Sequence, residues 1–203
     1  YPVPAAFAAQ ANVNAEQYQA MYRQSVDNPE AFWAEQADNY LTFMKKWDTV
    51  LDWSFDEDDL HINWFKGATL NVSANCLDRH LETRGDQIAI IWEGDDPNED
   101  RKITYRELHA EVSKFANVLK ARGVKKGDRV SLYLPMIPEA AVAMLACTRI
   151  GAMHSIVFGG FSPDALASRI NDSDCEVVIT SDQSMRGGKK VPLKGNADTA
   201  IAN

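Results

Sequence analysis

Arg129-Val-Ser-Leu-Tyr-Leu134, Met153-His-Ser-Ile-Val-Phe158 and Cys175-Glu-Val-Val-Ile-Thr180 are three short β-prone runs, and the segments between them decide the fold. After the first run, Pro138 opens a helical pattern through Ala141, Leu145 and Ile150 that stops at Gly151. After the second, Gly159-Gly160 leads to Ser162-Pro163 and a helix to Asn171. Strand, helix, strand, helix, strand at this spacing predicts a parallel βαβαβ core. Val177-Val178-Ile179 is apolar without alternation, as expected where helices cover both faces of the sheet.

Upstream, Thr104-Tyr-Arg-Glu107 has the spacing of a capping box and predicts a helix to Ala121 with the stripe Leu108, Val112, Phe115 and Leu119, ended by Arg122-Gly123. Ile88 to Trp92 reads as a strand, and the acidic run Glu93 to Asp100 as a solvated hairpin loop. Leu70, Ala74, Leu77 and Leu81 share one helical face, which predicts a helix ending at Arg84-Gly85. The first third is helical and extended instead. Asn14 caps one helix, and Asn28-Pro29 opens another whose aromatic face is Phe32, Trp33, Tyr40, Phe43 and Met44. Trp47 to Phe65 shows no sustained period and is expected as a surface-hugging segment pinned by aromatics against a neighbouring domain. Beyond Ser181 the pattern predicts a loop and a polar tail with no further strand. Residues 1–69 are thus expected as a helical and extended amino-terminal segment, and residues 70–203 as the start of a larger α/β domain.

The 203 residues are 45% hydrophobic and 25% charged, which excludes a disordered or collagenous chain. A net charge of −8 argues against nucleic-acid binding, so any polyanion site must be local. Cys76, Cys147 and Cys175 form no CxxC and give neither a disulfide framework nor a zinc site. No apolar run reaches the roughly 18 residues of a membrane span, and the opening residues lack the pattern of a secretory signal. A cytoplasmic protein is expected. Tyr1 in place of Met points to processing or a deliberate cut.

A self-sufficient catalytic set is not visible: there is no Walker A loop, GxGxxG, GxSxG or HExxH, and His61, His80, His109 and His154 are scattered. His154, inside an apolar strand, is expected as a satisfied core imidazole. Two loops remain, both at the carboxyl ends of predicted parallel strands, where open α/β sheets bind ligands. In Phe158-Gly159-Gly160-Phe161-Ser162-Pro163 the glycines permit close approach of a ligand to the backbone; the plainer alternative is a tight strand-to-helix turn. In Ser181 to Lys194, Arg186-Gly187-Gly188-Lys189-Lys190 and Lys194 give four cations with no acid between Asp182 and Asp198. The glycines there permit a backbone nest, and Arg186 offers a fork of donors to a phosphate, so a phosphorylated or nucleotide-like ligand fits; a solvated basic loop is the alternative.

Several strings resemble the amino-terminal part of the AMP-forming acetyl-CoA synthetases: Val50-Leu-Asp-Trp-Ser-Phe55, His61-Ile-Asn-Trp-Phe-Lys-Gly67, Leu70-Asn-Val-Ser-Ala-Asn-Cys-Leu-Asp-Arg-His80, Ile103-Thr-Tyr-Arg-Glu-Leu108, Tyr133-Leu-Pro-Met136, Arg149-Ile-Gly-Ala152, His154 to Ser162 and Arg186-Gly-Gly-Lys189. The resemblance implies the amino-terminal domain of an adenylate-forming enzyme. In that family acetate and MgATP give acetyl-AMP and pyrophosphate, and the CoA thiol then attacks the acyl carbon. It also implies that Arg186, Gly187, Gly188 and Lys189 contact the nucleotide end of CoA and that the backbone approaches it at Gly160. The family's phosphate loop, acyl pocket, ribose-binding Asp and catalytic Lys lie past Asn203, as does the Mg²⁺ site. No catalytic residue is therefore expected here, and this stretch alone is expected to be inactive and to self-associate through a truncated sheet. A propionate-specific ligase and a stand-alone CoA-binding or interaction module are the alternatives.

Overall fold

A computed structural model describes residues 2–202, so Tyr1, with its expected processed or cut terminus, and Asn203 lie outside the described residues. The chain divides into two compact units, the first ending at Leu70 and the second beginning at Asn71.

In the first unit a short α1 (Ala5–Ala8) precedes α2 (Ala15–Asp27). Asn14 and Gln17 exchange side-chain-to-backbone bonds, both 2.9 Å, which satisfies two donors at the start of α2. Asn28 caps α3 (Pro29–Tyr40), whose first residue has no N–H to lose. Because α3 ends at Tyr40, Phe43 and Met44 are not on its aromatic face as expected. Phe43 instead packs edge-on to Trp47, 5.2 Å between ring centroids, and tilts against Phe65 at 6.2 Å. The segment expected to be irregular is an antiparallel hairpin of β1 (Thr49–Ser54) and β2 (His61–Lys66), with Leu51 opposite Trp64 and Trp53 opposite Ile62. Leu51, Trp53, Ile62 and Trp64 share one face and Asp52, Ser54, His61 and Asn63 the other, a period of 2 that each strand is too short to make plain in sequence.

The second unit starts with α4 (Val72–Cys76), capped by Asn71, then a 3₁₀ turn (Asp78–His80) and α5 (Leu81–Arg84). The single helix expected here is broken at Leu77, where φ is −123° and ψ −64°. The break turns Asp78 onto the Arg149 guanidinium while Leu77 stays fully buried. Strands β3 (Ile88–Glu93) and β4 (Asp100–Thr104) form the acidic-loop hairpin. Thr104 and Glu107 close a capping box on α6 (Tyr105–Ala121), which buries Leu108, Val112, Ala116 and Leu119.

The core is β5 (Arg129–Leu134), α7 (Pro138–Arg149), β6 (Met153–Phe158), α8 (Pro163–Asp172) and β7 (Val177–Thr180). The three strands are parallel in the order β6-β5-β7, with Leu132 beside both Ile156 and Ile179. Val130 and Leu132 pack into a cluster with Val112, Leu119, Val142 and Ala146 of α6 and α7. On the opposite face Tyr133 and Val157 join Leu166 of α8 with Leu193, Ala197 and Ala200. Helices therefore cover both faces, as the apolar runs implied. The third strand begins two residues later than Cys175.

The polar tail is a second correction. After β7 come β8 (Ser184–Arg186) and β9 (Lys189–Val191), then α9 (Leu193–Ala202). Gly187 and Gly188, at φ +55° and +72°, form the two-residue turn, a conformation that fits the twist of a tight hairpin. Beyond Leu193, helix α9 buries only the small Ala197 and Ala200, so its apolar stripe is faint in sequence.

Candidate functional site

The carboxyl ends of β5 and β6, the β3–β4 loop and the β8–β9 hairpin surround a cleft of about 840 Å³. Its floor is Leu134 to Ile137 and Phe158 to Gly160, and Arg186 enters from the hairpin. The Arg186 guanidinium lies over the Phe158 ring, 5.0 Å from the centroid. A β-carbon at Gly160 would stand 2.7 Å from Phe158 Cε1 and 2.8 Å from Arg186 Nη1. The fold thus brings Gly160 and Arg186 into one place although they come from separate loops. Lys189 is the register partner of Arg186, and paired residues of a hairpin point to the same face.

Two electrostatic expectations change. Counted along the chain the basic loop holds no acid, but in space the Asp95 carboxylate accepts the Gly188 N–H at 3.1 Å. Lys194 is paired with Asp198 at 2.5 Å, one turn along α9. Both glycines have positive φ, whereas a nest alternates the sign, so the turn is not the anion nest expected. Glu93, Asp96 and Glu99 also line the cleft, giving it an acidic wall opposite Arg186.

Sequence reasoning missed the support beneath the glycine loop. Tyr133, fully buried, donates its hydroxyl to Phe161 O at 2.8 Å, with Gly159 O at 3.3 Å, and accepts from Asn196 Nδ2 at 3.1 Å. A Tyr near the carboxyl end of an apolar strand was the available signal, because a buried phenol needs a partner. On the other side, Trp92 Nε1 donates to Met136 O at 2.7 Å and Arg101 pairs with Glu139 at 2.9 Å, fixing the acidic hairpin against the start of α7.

None of the second unit's three histidines lines this cleft. In the first unit, His61 Nε2 is 3.2 Å from Asp52 and Nδ1 is 3.1 Å from Asp59; its bond to Asp52 is the main reason that its pKa is raised. His109 Nε2 lies 3.1 Å from Arg149 Nη2, and burial lowers the pKa of His80 beside Tyr105. His154 corrects the expectation of a satisfied imidazole. Its Nδ1 is buried without a hydrogen-bond partner, and desolvation lowers its pKa. Burial also pushes the Cys147 thiol up to about 11. Among the described residues no group of three or more His, Cys, Asp or Glu is placed to hold a metal ion. No helix among them is long and apolar enough to cross a membrane.

A parallel sheet covered on both faces, with a cleft at its strand ends, belongs to the open α/β architectures that bind nucleotides and related ligands. Residues 77–201 match the family described as AMP-binding enzyme, and the chain belongs to that family. Residues 18–76 match the family described as acetyl-coenzyme A synthetase N-terminus. Among its relatives, the acetyl-coenzyme A synthetase of Magnetococcus marinus is 68% identical over 202 residues, covering 100% of this chain and 31% of that protein. Those of Halorhodospira halophila and Shewanella amazonensis are 62% and 61% identical, each covering 99% of this chain and 31% of the relative. The chain therefore spans 31% of the length of the relatives it matches.

Proposed function

We propose that this chain is the amino-terminal part of an AMP-forming acetate–CoA ligase, a cytoplasmic enzyme that converts ATP, acetate and CoA to acetyl-CoA, AMP and pyrophosphate. The second unit is the beginning of its large α/β domain, and it supplies one wall of the site for the nucleotide end of CoA. Arg186 and Lys189 meet the phosphates, Gly187 and Gly188 let the hairpin tip turn tightly, and Gly160 lets the Arg186 guanidinium settle over Phe158. The observation that carries this reading is the convergence of Gly160, Phe158 and Arg186 at the mouth of the cleft. The synthetase relatives support it along the whole chain.

Within this chain the chemistry is binding and orientation. Arg186 is well suited to phosphate because its fork gives two parallel charge-assisted bonds, and the Phe158 face holds that fork in a set direction. ATP, acetate and Mg²⁺ are held by the remainder of the enzyme, so these residues leave adenylation untouched. Taken alone, the 203-residue chain self-associates through the open edge of β6.

The test is Arg186→Ala in the whole protein. At about 1.5 to 3 kcal/mol for a charged hydrogen bond, the KM for CoA should rise roughly tenfold to a hundredfold. Acetate-dependent pyrophosphate exchange into ATP should not change. Arg186→Lys should recover only part of the loss, because a point charge replaces a fork. A CoA KM within about twofold of the parent, under half a kcal/mol, would reduce the basic hairpin to solvated surface.

A further inference from the structure

We infer that Tyr133 is a positioning residue for the CoA nucleotide site, and that Asn196 sets the direction of its hydroxyl. The inference rests on the CoA reading above and adds a residue that no ligand would touch.

Tyr133 is 0% exposed, next to the carboxyl end of β5, and its ring packs among Val157, Leu166, Leu193 and Ala197. A phenol has one proton to give. That proton is directed at Phe161 O, 2.8 Å away, with Gly159 O sharing it at 3.3 Å. These carbonyls flank Gly160, so one buried hydroxyl ties down the loop on both sides of the glycine that Arg186 approaches. The orientation is not free. Asn196 Nδ2 donates to the same oxygen at 3.1 Å, occupying a lone pair and leaving the proton to the loop. Asn196 stands in the first turns of α9, and α9 follows β9 after Pro192 alone. The chain of bonds therefore links the helix that anchors the basic hairpin to the glycine loop. Each bond in such a chain polarises the next, and an unpaired group in this apolar surround is costly.

The measurements are the KM for CoA, pyrophosphate exchange and thermal midpoint of the whole protein, with CoA binding followed independently by calorimetry. Tyr133→Phe keeps the ring and removes the hydroxyl. It should raise the CoA KM and Kd roughly threefold to tenfold, the span of a neutral hydrogen bond, and leave pyrophosphate exchange unchanged. Asn196→Asp is the second variant. A carboxylate accepts and does not donate, so the Tyr133 proton should turn toward it and release Phe161 O, giving a CoA defect of similar size with the phenol still present. This variant carries the test if Tyr133→Phe does not fold. Arg186→Ala is run beside both. A CoA defect for Arg186→Ala with none for Tyr133→Phe or Asn196→Asp overturns the positioning role and leaves the CoA site standing. A lowered thermal midpoint with unchanged CoA affinity, or equal slowing of pyrophosphate exchange, overturns it too. No CoA defect in any of the three removes the CoA reading itself.

Discussion

Arg149 grips Asp78 with both arms of its guanidinium, Nη1 to Oδ2 at 2.7 Å and Nη2 to Oδ1 at 2.9 Å. The contact joins the last turn of α7 to the 3₁₀ turn where the preceding helix breaks. His109 lies against the same pair, its Nε2 3.1 Å from Arg149 Nη2 and 3.4 Å from Asp78 Oδ1. Asn71 adds two bonds from its side chain to Thr148 O and Arg149 O, at 3.1 and 3.0 Å. This polar knot stands at the opposite end of α7 from the cleft and serves the packing of the unit.

It predicts an acid-sensitive share of stability. The bond to Arg149 is the main reason that the Asp78 carboxyl titrates below its ordinary 3.8. A carboxylate with a lowered folded-state pKa contributes stability that is complete above the ordinary value and lost as pH falls through the lowered one. Arg149→Met should therefore destabilise at neutral pH by about 1 to 2 kcal/mol, discounted because both groups are partly open to solvent. The gap to the parent should narrow below about pH 4. Urea unfolding of both proteins at pH 7 and near pH 3 checks this, and a gap of constant size would disprove the linkage.

The parts of the fold that were legible are those where burial leaves a mark on residue type. Val130, Leu132 and Val157 lie in strands covered by helices, so their runs are apolar and bounded by glycine or proline. Thr104 and Glu107 announce the start of α6 through capping chemistry alone. The β1–β2 hairpin left a weaker mark, because Leu51, Trp53, Ile62 and Trp64 share one face but three of the four stay exposed, and the alternation spans only a few residues per strand. Helix α9 was hidden because Ala197 and Ala200 bury little area and sit among polar neighbours. At the site, Arg186 and Gly160 were each legible as loop residues. Their proximity was not, since it follows from the strand order β6-β5-β7 and the unforeseen hairpin. Tyr133 and Asn196 are 63 residues apart, and local sequence carries no trace of that bond.

The sheet predicts self-association of the 203-residue chain. Strand β6 pairs on one side only, with β5, and leaves Met153, Ile156 and Phe158 exposed. An unpaired edge with apolar side chains is a template for another strand. Sedimentation should show species larger than a monomer at high micromolar concentration, and Ile156→Lys should shift them toward monomer by placing a charge on that edge. A clean monomer for the unsubstituted chain would refute the expectation.

Gly160 offers the sharpest separation between two ways of building the proposed CoA site. Its backbone is not left-handed, so the objection to a side chain is space and not strain. The two atoms in the way differ in kind: Phe158 Cε1 belongs to a stiff ring, while Arg186 Nη1 ends a flexible side chain. In Gly160→Ala the half-exposed Phe158 ring must turn aside and the guanidinium should swing off it while the fold holds. The change in stability should be under about 1 kcal/mol, the size of an exposed cation–π contact. The CoA KM should rise, and pyrophosphate exchange should not. If alanine acts by displacing Arg186, the double variant Gly160→Ala/Arg186→Ala should bind CoA no worse than Arg186→Ala alone, because the group being displaced is already gone. If the ligand itself presses on the backbone at Gly160, the two losses should instead add. Measuring CoA affinity around this four-protein cycle decides between them, and additive losses would rule out the arrangement in which Gly160 serves Arg186.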